Sequence, residues 1–149
     1  MDLKGSHEFS APRAVVWEAL TDPEVLAKAT PGCQSLREVE PDTYEVEMKL
    51  GIAAVKGNYK GKVSIREKNE PESFRLDISG EGGPGFVNTF MNIQLEDKGE
   101  RTRLDYQGEA QVGGMIAGVG QRMLGGVAKM ILGQFFKALE KEVELRNAN

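Results

Sequence analysis

A chain of 149 residues with 19 basic and 23 acidic side chains, a formal net charge of −4, is long enough for one sizeable core and reads as a single domain over residues 1–149. The acidic balance excludes a nucleic-acid binder held mainly by phosphate contacts, and a lone cysteine, Cys33, excludes an internal disulfide framework and suits a reducing compartment. No apolar h-region follows Met1 and no run of about 18 apolar residues occurs, so the expectation is a cytoplasmic protein without a membrane-spanning helix.

Leu3 to Phe9 alternates as a first strand. Ser10 is placed to cap a short helix with Pro12 in its first turn and Val15, Val16, Trp17, Ala19 and Leu20 on its apolar face. Asp22-Pro23 ends it and starts a second short helix with Val25 and Leu26, which Thr30-Pro31-Gly32-Cys33 closes. Six strands follow: Leu36 to Val39, Tyr44 to Ile52, Gly57 to Arg66, Phe74 to Gly80, Phe86 to Leu95 and Arg103 to Val112. Most alternate sharply, as in Tyr44, Val46, Met48, Leu50 and Ile52 against Glu45, Glu47 and Lys49. In Phe86 to Leu95 the pattern is less decisive, because Phe86 and Phe90 oppose Val87, Met91, Ile93 and Leu95. Gly114 to about Leu145 then reads as one helix of roughly 50 Å, with Met115, Val119, Met123, Val127, Met130, Phe135, Leu139 and Val143 at helical spacing. The architecture that closes these elements is α+β: a curved antiparallel sheet, solvated on one face, wrapped around the long helix.

The long helix is uneven. Gly118, Gly120, Gly125, Gly126 and Gly133 fall inside it, each costing about 1 kcal/mol relative to alanine, whereas its last turns hold Phe135, Phe136 and Leu139. The strands show a matching deficit. Gly61, Gly80, Gly108 and Ala110 are expected at one end of the sheet, and Tyr44, Val46, Ile65, Phe74 and Leu104 at the other. Native interiors pack densely, so two readings stand: a cavity at the lean end, or glycines that allow close helix–sheet contact. The flexible thioethers of Met48, Met115 and Met123 favour the cavity. Its expected lining is Met48, Leu50, Ile52, Tyr59, Gly61, Gly80, Gly108, Met115, Val119, Gly120, Met123 and Val127, with Phe86 and Phe90 as a gate beside the Gly82-Gly83-Pro84-Gly85 loop.

Catalytic signals are thin. Gly80 to Gly85 matches G-x-G-x-x-G formally, but no helix follows and Pro84 interrupts it. His7 is the only histidine and has no acid–base company in the sequence, Cys33 reads as a small buried residue, and histidine and cysteine are too few for the usual transition-metal sites. Lys56, Lys60, Lys62, Arg66 and Lys68 make a basic stripe that is either a solvated face or a docking surface for an acidic membrane or enzyme partner.

Several local motifs keep a consistent order: Ala11-Pro12 with Val16-Trp17, Asp22-Pro23-Glu24, Pro31-Gly32-Cys33, Gly57-Asn58-Tyr59-Lys60-Gly61, Tyr106-Gln107-Gly108-Glu109, Val112-Gly113-Gly114, Gly120-Gln121-Arg122 and Phe135-Phe136. In them the chain resembles the START-like superfamily (polyketide cyclase, Bet v 1 and related proteins) and, within it, the CoxG family of carbon monoxide dehydrogenase proteins, over nearly its whole length. Two departures are visible: Phe86 to Gln94 is bulkier than the small-residue strand of the family, and some relatives continue past the helix into a tail where this sequence ends at Asn149. The resemblance implies a helix-grip fold without cofactor or catalytic residues. It also implies a hydrophobic ligand, a lipid or a quinone, bound in an accessory role to a molybdenum-containing carbon monoxide dehydrogenase, with membrane recruitment or electron-carrier delivery. The competing expectations are a cyclase or aromatase-type enzyme and a ligand-free scaffold.

Overall fold

Alternating side chains produce seven strands in the computed structural model, which describes residues 1–148. In chain order the elements are β1 (Asp2–Phe9), α1 (Arg13–Leu20), α2 (Pro23–Ala29), β2 (Cys33–Glu40), β3 (Thr43–Leu50), β4 (Gly57–Asn69), β5 (Ser73–Gly82), β6 (Gly85–Asp97), β7 (Thr102–Gly113) and α3 (Gln121–Ala148). Short 3₁₀ turns at Ala53–Val55 and Met115–Val119 precede β4 and α3. All strands join one antiparallel sheet in the order β1-β7-β6-β5-β4-β3-β2, so the meander from β2 to β7 is closed at its end by the first strand.

Local chemistry sets the helix ends. The Asp22 carboxylate accepts from the Glu24 amide at 2.9 Å and Pro23 takes the first helical position, where a missing N–H costs nothing. Helix α1 starts later than expected: Pro12, not Ser10, stands at its cap, with no side chain bonding the first turn. The expected single carboxyl-terminal helix is divided. Gly120 has φ +93°, a conformation that side-chain-bearing residues rarely adopt, and it separates the Met115–Val119 turn from the 28-residue α3.

Register fixes which side chains face α3. Across the sheet, Tyr44, Val63, Ile78, Thr89 and Ala110 form one inward row; Ile65, Leu76, Met91, Gly108 and Leu3 form the next inward row toward the main core. That core unites Phe9, Val16, Trp17, Phe74, Ile93, Leu95, Leu104, Phe136, Leu139 and Val143, all buried. Trp17 meets Phe74 edge-on at 5.3 Å, and Phe136 stacks between His7 and Tyr106, each 5.5 Å away. Helix α3 packs on α1, α2 and β1, and Arg146 near its end pairs with Asp22. Its grip is therefore strongest in its second half. Glycines let the strands bend: a Cβ at Gly61 would strike the Ser79 carbonyl, and one at Gly108 the Phe90 carbonyl.

Candidate functional site

The first half of α3 lies over different ground. A second, smaller cluster forms there around buried Val55, Ile116 and Leu124, joined by half-buried Leu50, Ile52, Ala54, Val87, Val112, Val119 and Val127. Between the two clusters the inward face is incompletely covered. Tyr59 and Ile78 face inward, remain half-buried and belong to neither cluster, and Gly61 and Gly80 pair directly across β4 and β5 beside them. On the helix, Gly125 is half-buried, yet a Cβ placed on it would meet nothing within 4 Å. Helix and sheet backbones thus do not touch at these glycines. The close-contact explanation for them fails.

Met48 also points inward in the row Cys33, Met48, Tyr59 and Gly82, half-buried on the edge of the main core. Tyr59 is held by its hydroxyl, which donates to the Val55 carbonyl at 2.6 Å, and burial pushes that phenol up from its usual range. The same row is closed at its outer end by the Gly82–Gly85 turn. A surface depression of about 580 Å³, open to solvent, lies at this end and is lined by Ala54, Lys56, Gly57, Asn58, Gly83, Pro84, Met115, Ile116 and Val119. Ile116 is its floor: the side chain is 3 % exposed and its amide donates to the Pro84 carbonyl at 2.9 Å.

The expected lining is therefore redistributed. Leu50, Ile52, Val119 and Val127 come together, but as part of the small cluster; Met48, Tyr59, Gly61 and Gly80 border the uncovered strip. Gly108 does not belong to this end. It pairs with Met91, four residues along the sheet from the Gly61–Gly80 level, where it bends β7. Met115 is 81 % exposed and stands at the rim rather than within, while Met123 is 55 % exposed on the outer side of α3. Gly120 is the joint before α3 and has open space around it.

Phe86 and Phe90 require a clear correction. Met91, Ile93 and Leu95 are buried, so the odd-numbered residues of β6 face inward and the two phenylalanines lie on the outer face. There Phe90 carries the Arg75 guanidinium 4.5 Å above its ring, and Phe86 covers Gly113. The inward residues at those levels are Val87 and Thr89, which the β6 alternation already allowed. Ile116 and Leu124 are hidden from a reading that takes the carboxyl-terminal helix as unbroken.

His7 lies far from this strip. It sits on the main core between Phe9 and Phe136, its Nε2 buried without a hydrogen-bond partner and 3.6 Å from Glu140. Burial raises the Cys33 thiol above its usual range, which keeps it protonated and poorly nucleophilic. The basic stripe is largely neutralised: Lys60, Arg66 and Lys68 each have a carboxylate within 4 Å, in Glu47, Asp77 and Asp42.

A family model for the carbon monoxide dehydrogenase protein CoxG matches residues 5–144. The chain belongs to the CoxG family. Among solved structures it is similar to a conserved protein from Geobacillus kaustophilus, at 42 % identity and a TM-score of 0.95, covering 97 % of this chain and 95 % of that one. A START superfamily protein from Mycobacterium smegmatis shares 16 % identity with a TM-score of 0.74 over 97 % of both chains. Ara h 8.0201 shares 18 % with a TM-score of 0.70, over 96 % of this chain and 97 % of that one. No curated protein matches. The expected START-like, Bet v 1-like helix-grip architecture of this CoxG-family chain is thereby established. Family and fold together suggest an accessory protein that binds a hydrophobic ligand. Among the described residues, no helix is long and apolar enough to cross a membrane.

Proposed function

We propose that this CoxG-family protein holds an apolar small molecule, a lipid or a quinone-like carrier, between α3 and the central strands. The observation that carries the reading is the strip left between the two apolar clusters, where Tyr59 and Ile78 face inward without being sealed and Gly125 opens onto empty space. Apolar side chains that are not sealed by their own fold are satisfied by an apolar guest. Entry is at the depression beside Pro84 and Met115, where Ile116 would have to yield. No acid–base set converges on the strip, and the His7–Glu140 pair is built into the opposite core, so the protein binds and hands over rather than transforms.

In this reading the recipient or donor is a molybdenum-containing carbon monoxide dehydrogenase, and the exchange takes place at the inner membrane surface, to which a cytoplasmic protein attaches peripherally. The family membership supports the first part. Mass spectrometry of an organic extract of the purified protein is the test. A lipid or quinone recovered in stoichiometric amount, and lost on replacing Ile78 by Phe, is the expected result. A clean extract, together with failure of any apolar probe to bind, would leave a ligand-free scaffold.

A further inference from the structure

Charge in this chain is segregated in a way that the ligand strip does not explain. Residues 48–66, 82–95 and 110–139 contain eight of the 19 basic residues and none of the 23 acidic ones, leaving 11 basic against 23 acidic elsewhere. The fold gathers the loops of these stretches at one pole: the β3–β4 connection, the turn at Gly83 and Pro84, and the Gly114–Gly120 segment. Moving inward along β3 to β5, the first carboxylates are Glu47 and Glu81, and both stand opposite Lys60, whose ammonium is 3.8 Å from Glu47. Lys49, Lys56 and Arg122 are exposed, and among the described residues none has a carboxylate within 4.0 Å.

The same pole exposes large apolar side chains. Met115 is 81 % exposed, Met123 55 % and Phe86 45 %. Met115 rides on a short segment bracketed by Gly114 and Gly120, with φ of +78° and +93°. We propose that this pole is the surface on which the protein docks to an anionic lipid bilayer, with Met115 entering the interface and Lys49, Lys56 and Arg122 meeting lipid phosphates. Unpaired cations around a protruding apolar tip combine the two attractions that hold proteins to such surfaces. A fluid interface moulds itself to a protruding methionine, whereas an acidic protein surface would need a matching cup. The inference rests on the carrier reading for its purpose: Ile116 is on the tip segment, so drawing Met115 outward lifts the floor of the entrance.

Docking is measurable without any ligand. Purified protein is sedimented with phosphatidylcholine vesicles, with and without phosphatidylglycerol, at low and high salt. Expected are binding to the anionic vesicles only, its loss at high salt, and at least about tenfold weaker partitioning for Met115→Glu and for Lys49→Glu/Arg122→Glu. The double variant should keep the wild-type melting temperature and wild-type titration of an apolar fluorescent probe. No sedimentation with anionic vesicles, sedimentation indifferent to phosphatidylglycerol, or variants that partition like the wild type would overturn the proposal. So would binding of the same face to a dehydrogenase but not to vesicles, which would make it a protein interface. Failure of the probe titration in the wild type would instead strike the carrier reading and leave the docking result standing.

Discussion

The two halves of α3 have the same helical geometry and opposite relations to the rest of the molecule. In the second half, Phe136, Leu139 and Val143 are buried, and Arg146 ties the end to Asp22. In the first half only Leu124 is buried, Gly126 and Gly133 face solvent, and Gly125 looks onto vacant space. Stability is concentrated where the helix meets α1, α2 and β1; the freedom to admit a guest is concentrated where it does not. One helix can serve both ends because each turn answers only to its own neighbours.

Truncation should expose this contrast most strongly. Phe136→Ala removes a ring stacked between His7 and Tyr106 and should cost about 3–5 kcal/mol. Val127→Ala, half-buried beside the small cluster, should cost less than about 1 kcal/mol. Denaturant unfolding of both variants measures the ratio; equal losses would mean that the first half is as firmly packed as the second.

A smaller effect is expected at the joint. Gly120→Ala forces a side chain into φ +93°, at about 1–3 kcal/mol, although nothing lies within 4 Å of the new methyl. The loss would therefore be of backbone origin, and Gly118→Ala beside it, free of that conformation, should not share it. The smallest effects should be gains. Gly126→Ala and Gly133→Ala lie on the exposed side of a regular helix with open space around them, so each should stabilise by about 1 kcal/mol in thermal unfolding. A loss at either would show that these glycines make a contact absent from the isolated chain.

Much of this is legible from residue order. Period-two alternation locates every strand, and Asp22-Pro23 marks the second helix because its capping chemistry is local. The asymmetry of the last helix is legible too, since glycine and phenylalanine differ so much in volume. What stays hidden depends on conformation or on distant partners. Gly120 reads as one more helical glycine until its φ is known. Phe86 and Phe90 look like core residues by composition, and only pairing with Arg75, Asp77 and Glu109 puts Phe90 outside. Gly108 falls at a different level from the one expected because strand length, which the alternation of β7 leaves open, decides how far along the sheet it lies.

Gly125→Leu tests the central claim most directly. The glycine is half-buried in an ordinary helical turn with vacant space beyond it, so leucine should fit and better helix propensity should offset part of any strain. Thermal unfolding and apolar-probe titration on the same sample separate stability from binding. The account predicts an unchanged or higher melting temperature with probe affinity at least about tenfold weaker, a difference of roughly 1.4 kcal/mol. A lower melting temperature with wild-type probe binding by the folded protein would contradict it.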